Sequence, residues 1–192
     1  MQLHKRDVVD AATAILDAYG IADLTMRRLA RELAVTPGAL YWHFANKQEL
    51  LGAVADRILE PTRAVEAAEH WPDTIVAVCS ALRDALLSHT DGAELVSASF
   101  AAGQSQIASE IIGLLSAAAD EAGVAVDDCD AAARTVVYYV LGFTVDEQSK
   151  RQWDSAGALA EEHSVLAVDH DRRFAFGLRL LVDGLGAHSR VS

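Results

Sequence analysis

Apolar positions recur at helical spacing from the start of the chain. Val8, Ala12, Ile15 and Tyr19 fall on one stripe, widened by Ala11 and Leu16, which predicts a first helix stopped by Gly20. Thr25 is placed to cap a second helix over residues 26–33, with Leu29, Ala30 and Leu33 inward and Arg28 at the third helical position. Ala34 and Val35 form a turn. Thr36 then caps a third helix whose first residue is Pro37, where a missing N–H costs nothing. Asn46 and Glu49 make a capping box for a fourth helix over 47–60, with Leu50, Leu51, Val54 and Ile58 inward and Pro61 kinking or ending it.

The same period continues with longer segments. Helices are predicted over 72–87 (Ile75, Val78, Leu82, Leu86), 93–100, 104–121 (Ile107, Ile111, Leu114, Leu115, Ala118) and 129–150, the last capped by Asp127 or Asp128. Asp91-Gly92 and Gly123 punctuate them. Residues 149–166 are polar and rich in small side chains, which predicts a flexible loop or a short helix. A final helix is predicted over 169–187. No segment shows sustained strand alternation or an internal repeat, so the expected fold is all-α.

Composition narrows the class. The 192 residues are long enough for one domain or two small ones with a real core. Apolar runs are interrupted by Asp, Glu or Arg before they reach the length of a membrane span, so no membrane partner is expected. The N-terminus is amphipathic and has no signal-peptide core. Cys79 and Cys129 match no metal or redox spacing and read as buried, reduced thiols of a cytoplasmic protein.

The net charge of −12 argues at first against nucleic acid, but its distribution does not. Residues 1–47 hold six Lys or Arg against five acids, +1, whereas residues 48–192 hold 10 against 23, −13. A few cations facing phosphates suffice for a DNA-binding head on an acidic body.

The second and third predicted helices, with their four-residue connection, fit a helix-turn-helix. Its second helix would present Thr36, Pro37, Gly38 and Ala39 to the major groove. All four are small, so backbone approaches bases closely, and their methyl and ring carbons suit thymine methyl groups. Tyr41, His43 and Lys47 would reach phosphates, as would Arg27 beside the cap Thr25, where helix amides add to the site. Residue by residue a second reading stands: Tyr41, Trp42 and Phe44 as core aromatics of a helical hairpin, with Arg27, Arg28 and Arg31 a solvated face.

The segment LTMRRLARELAVTPGALYWHFANKQELL, residues 24–51, resembles the DNA-binding head of the TetR family of bacterial transcriptional repressors, most specifically in LYWHFANK at 40–47. The chain departs from that pattern at Ala34, where Gly is usual, which implies a small local adjustment. The resemblance extends through ALLSHTDGAELV (85–96), LGFTVDEQ (141–148) and FAFGLRLLVDGL (174–185) to the C-terminal domain of tetracycline repressors. It implies a helix-turn-helix domain over 1–46 and an effector-binding and dimerisation domain over 47–192. The last two long helices would form a four-helix bundle with a second copy. Val136, Val137, Tyr139, Val140 and Phe143 on one, and Phe174, Leu178, Leu181, Val182 and Leu185 on the other, suit such burial, with Gly177 and Gly184 allowing close approach.

In tetracycline repressors a magnesium–drug complex is held by a His, a Thr and a partner-subunit Glu. The resemblance places those positions at Val96, Ser99 and Asp146, and the drug-gripping His, Asn, Phe and Gln at Arg63, Val78, Leu82 and Ile112. Valine offers no lone pair, and most drug-gripping polar groups are apolar here. A pocket lacking its hydrogen-bonding groups rejects a polar ligand, so a small, largely apolar effector is expected, with no metal or cofactor. The candidate pocket residues are Leu82, Leu86, Val96, Ser99, Phe100, Ile112, Val137 and Tyr138, with Arg134 and Asp146 as polar anchors; Arg134 either binds an anionic ligand or pairs with an acid.

No nucleophile elbow, phosphate loop or zinc-protease motif is present, so no enzyme is expected. His89 with Asp91 reads as helix-end capping, and His163 with His170 is a weak metal pairing. The expected protein is a homodimeric repressor on double-stranded palindromic DNA. A TetR-like activator, a ligand-independent regulator and a helical binding protein with no DNA role remain the alternatives.

Overall fold

The structure is a computed structural model that describes residues 3–155 and 169–188. Among them are nine α-helices and no strand: α1 Lys5–Tyr19, α2 Met26–Glu32, α3 Pro37–Tyr41, α4 Lys47–Leu59, α5 Trp71–Leu87, α6 Gly92–Ala101, α7 Gln106–Glu121, α8 Cys129–Ser155 and α9 His170–His188.

The boundaries follow the capping chemistry, with informative exceptions. Thr25 caps α2 by accepting the Arg28 N–H at 3.2 Å, and Asn46 caps α4 by accepting the Glu49 N–H at 2.8 Å. Glu49 returns to the Ala45 N–H, one residue before the cap. Thr36 makes no side-chain cap, contrary to expectation; α3 starts from the preset φ of Pro37 instead. Ala34 adopts φ +52°. Its N–H reaches the Arg31 carbonyl and that of Val35 the Ala30 carbonyl, the paired bonds of a Schellman ending. Alanine in this left-handed conformation costs about 1–2 kcal/mol, and this is the local adjustment that a non-glycine residue imposes.

α4 ends at Leu59, and Pro61 lies in the 3₁₀ turn Glu60–Ala64 that follows. α7 starts two residues later than expected, because Ser105 is its cap and accepts the Ala108 N–H at 3.0 Å. α8 runs to Ser155 rather than stopping near Lys150. The ion pairs Asp146–Lys150 and Glu147–Arg151, each four residues apart, carry it through the start of the polar stretch. The remainder of that stretch, with His163, lies outside the described residues.

The described residues fall into two compact units. One comprises Met1–Pro61 with Asp84–Ser109, the other Thr62–Arg83 with Glu110–Ser192. In the first, Val8, Ala12, Ile15 and Leu16 of α1, Leu29 of α2, Leu40 of α3, and Leu50, Val54 and Ile58 of α4 are buried. α4 packs most extensively on α6, whose Ala93, Leu95 and Val96 are buried. Tyr19, placed on the α1 stripe by its spacing, is exposed and carries the Arg28 guanidinium 3.7 Å from its ring centre. In the second unit, Ile75, Val78 and Leu82 of α5, Ile111 and Leu115 of α7, Val136, Val140 and Leu141 of α8, and Phe174 and Leu178 of α9 are buried.

Candidate nucleic-acid interface and candidate ligand residues

The hairpin α2–α3 is fixed from inside by Leu24, Leu29, Ala30, Leu40 and Phe44, all buried. Leu40 and Phe44, four apart, point inward, so the residues between them face out. Thr36, Pro37, Gly38 and Tyr41 are exposed, Ala39 and His43 half-buried. Trp42 is 90% exposed. Of the three aromatics, only Phe44 belongs to the core. Trp42, off the Leu40–Phe44 stripe, is a further candidate beside the site residues expected from the sequence. A bulky apolar ring left in water at the end of α3 is a candidate contact surface.

The cations divide into two sets. Arg28 is held by Asp23 and by the Tyr19 ring. Lys5 sits 3.6 Å from Glu49 and 5.2 Å from the Phe44 ring centre. Arg27 and Arg31, one turn apart on α2, are exposed, and neither they nor Lys47 has an ion-pair partner among the described residues. These three are available to phosphates, together with Thr25 at the open end of α2. The geometry therefore combines a small-residue surface of exposed backbone, two outward aromatics and uncommitted cations.

The candidate ligand residues divide between the two units. In the first, Leu86, Val96 and Ser99 are buried and Phe100 half-buried. The Ser99 hydroxyl is buried without a hydrogen-bond partner among the described residues. In the second, Leu82, Ile112 and Val137 are buried, whereas Arg134, Tyr138 and Asp146 stand on the exposed side of α8. Arg134 pairs with Asp130 at 2.6 Å and Asp146 with Lys150 at 2.6 Å. Arg63 is bidentate to Glu110, 2.9 Å on both arms.

Among the described residues of this unit the buried cation is Arg83, not Arg134. Its guanidinium bonds Glu147 at 3.0 and 3.1 Å and Asp171 at 2.8 Å, and lies 4.9 Å from the Phe174 ring centre. Burial pulls the Arg83 pKa down, but the hydrogen bonds to Asp171 and Glu147 more than offset it and hold the group above its ordinary value. Arg83 sits in an apolar helical stretch, the same signal that singled out Arg134.

His89 contacts the Asp17 carboxylate at 3.0 Å, a structural pairing at a helix end. Among the described residues no three His, Cys, Asp or Glu side chains are grouped to hold a metal ion, and no helix is long and apolar enough to cross a membrane. Val96, which the resemblance sets at the position of a metal-ligating His, is buried and apolar.

Comparisons with known proteins follow these two regions. Residues 8–54 match the bacterial regulatory protein, tetR family, model, and residues 65–189 match the tetracyclin repressor-like C-terminal domain. The chain is 32% identical to the tetracycline repressor protein class A from transposon 1721 of Escherichia coli, over 99% of the chain and 94% of the relative. The crystal structure of Mycobacterium smegmatis BioQ is 68% identical over 97% of this chain and 99% of that one, with a TM-score of 0.91. A structure of BioQ with its double-stranded DNA operator is 66% identical over 97% and 100%, with a TM-score of 0.86. The chain thus belongs to the TetR family of bacterial regulatory proteins, and is a DNA-binding transcriptional regulator rather than an enzyme.

Proposed function

We propose that the protein is a homodimeric bacterial cytoplasmic repressor, released from a palindromic operator by a small, largely apolar effector other than magnesium–tetracycline. Residues 1–46 read DNA, and residues 47–192 bind effector and dimerise. The observation that carries the reading is the outward face of α3, where Trp42 is 90% exposed beside Thr36, Pro37 and Gly38. Its likeness to BioQ, solved on its operator, supports DNA as what covers that face. In this reading α3 enters the major groove, Thr36 to Ala39 meet bases, and Thr25, Arg27, Tyr41, His43 and Lys47 hold phosphates.

Dimerisation is supported by apolar surface left in water on α8 and α9. Tyr138, Phe176 and Leu180 are each more than half exposed. Beside them an open groove of about 370 Å³ is lined by Val124, Ala131, Thr135, Leu180, Leu181 and Leu185 among others. A second copy buries such a surface symmetrically. The effector class is supported by Val96, which is buried and apolar. Ser99 supplies a polar anchor: an orphaned buried hydroxyl costs about 1–3 kcal/mol, which a single hydrogen bond from an effector recovers.

The test uses Trp42 as its own reporter. With Trp71 and Trp153 replaced by Phe, operator duplex should shift and quench the Trp42 emission, and added salt should reverse this steeply. Emission indifferent to duplex at low salt would transfer the head to a role without DNA. A calorimetric titration with magnesium–tetracycline should show no binding; tight binding would refute the effector class.

A further inference from the structure

We infer that Asp56 of α4 and Asp17 of α1 are positioning residues for operator binding, tying the two ends of α6 to α4 and to the head. The inference rests on the proposed dimeric reading, because what the clamps hold is the placement of one head relative to the other.

At the C-terminal end of α6 the contact is backbone against helix. A Cβ added to Gly52 would meet the Gln104 carbonyl oxygen at 2.3 Å, so α4 lies directly on the turn between α6 and α7. One helical turn further, a single oxygen of Asp56 accepts the Ser105 hydroxyl at 2.6 Å and the Ile107 N–H at 3.0 Å. Ser105 is buried and already caps α7 through the Ala108 N–H. Ser105 satisfies one of the free N–H groups at the start of α7 and Asp56 another, and because Asp56 does so from α4 it ties the two helices, favoured by the positive end of the α7 dipole.

At the other end, the corner 89–91 grips α1. Asp17 accepts the Thr90 N–H at 3.2 Å and lies 3.0 Å from His89, while its carbonyl accepts the Thr90 hydroxyl at 3.0 Å. Asp91 accepts the Ile21 N–H at 2.9 Å. A Cβ on Gly20 would stand 2.6 Å from that carboxylate, at a φ of +79° that itself favours glycine. α1 and α4 are thus each tied to one end of α6, which stands in the chain between α5 and α7. Two heads engage one palindrome only at a fixed spacing, so loosening a clamp costs simultaneous engagement before it costs contact with a single half-site.

The experiment uses the full chain, an operator selected from a random duplex pool, and a duplex carrying one half-site, read by fluorescence anisotropy. Asp56→Ala should lower affinity for the full operator by about tenfold or more, while half-site affinity changes by less than about threefold. Asp56→Asn keeps the accepting oxygen and should return the full-operator affinity to within about threefold of wild type. Ser105→Ala, which removes one of the two donors, should give an intermediate loss, and carries the test if Asp56→Ala does not fold. Asp17→Ala should show the same selective loss. Equal losses on both duplexes, or none, overturn the inference. Wild-type protein that binds half-site and operator equally overturns the dimeric reading and this one with it. Wild-type preference for the operator with an unchanged ratio in Asp56→Ala overturns the clamp alone.

Discussion

Replacing Glu147 by Gln keeps the shape of a wholly buried side chain and removes its charge. Glu147 accepts Arg83 at 3.0 and 3.1 Å and Arg151 at 2.5 Å. Without it, Arg83, whose side chain is 9% exposed, retains Asp171 at 2.8 Å and the flanking rings of Phe143 and Phe174. Asp171 is 87% exposed and compensates poorly for lost solvation. Breaking a buried pair from one side costs about 3–5 kcal/mol, and the rings and Asp171 place the expected loss near the lower bound, about 3 kcal/mol. For a chain of this size that lowers the melting temperature by about 6–12 °C. Arg83→Met strands a fully buried carboxylate with Arg151 alone and should cost at least as much. The double variant Arg83→Met, Glu147→Leu removes both charges and should return to within about 1 kcal/mol of wild type. Melting followed by far-UV circular dichroism, at one protein concentration because a dimer's melting depends on it, measures all four species. A Glu147→Gln protein that melts with wild type, or a double variant no more stable than Arg83→Met, would refute the account of a mutually dependent buried pair.

Two further outcomes follow from local geometry. Gly177→Ala should destabilise by about 1–3 kcal/mol, because its Cβ would lie 2.4 Å from the Tyr139 hydroxyl that bonds the Phe174 carbonyl at 2.8 Å. Gly113→Ala, with no atom within 4 Å of the added Cβ, should stabilise α7 by about 0.5–1 kcal/mol in the same denaturation assay. Burial pushes the Cys79 thiol from 9.0 up to about 12. The unfolded chain releases that proton first, so the Cys79 contribution to stability is complete below pH 9 and is lost as pH rises toward 12. Cys79→Ala should therefore flatten the alkaline fall in stability, and an unchanged fall would assign it to other groups.

The elements that the sequence discloses are those whose causes are local. Thr25 with Arg28 and Asn46 with Glu49 are three residues apart, and the hydrogen bonds they imply are present. The stripe Leu50, Val54, Ile58 is one face of one helix, and it is buried. The full length of α8 is not legible in the sequence because residues 149–155 lack an apolar stripe, while the support for the helix comes from Asp146 and Glu147 one turn earlier. Trp42 is ambiguous in sequence for a different reason. Core and interface both select large aromatics, and only the position relative to Leu40 and Phe44 separates them.

Residues that act at long separation leave no periodic trace. Arg83 and Glu147 are 64 positions apart, Asp17 and His89 72, Asp56 and Ser105 49. Each reads locally as an ordinary charge or hydroxyl on a helix. Arg134 looked like the charge requiring explanation because it interrupts Ala131, Ala133, Val136 and Val137, yet its partner Asp130 is one turn away and both are solvated. Arg83 interrupts a similar stretch, Val78, Cys79, Leu82 and Leu86, with no acid of α5 as its recorded partner, and its partners lie on α8 and α9. A charge in an apolar helix therefore points to a distant partner when the i±4 positions offer no acid, and to a local one when they do. That criterion separates Arg83 from Arg134 by chain position alone: the residues four before and four after Arg83 are Cys79 and Leu87, whereas Asp130 stands four before Arg134.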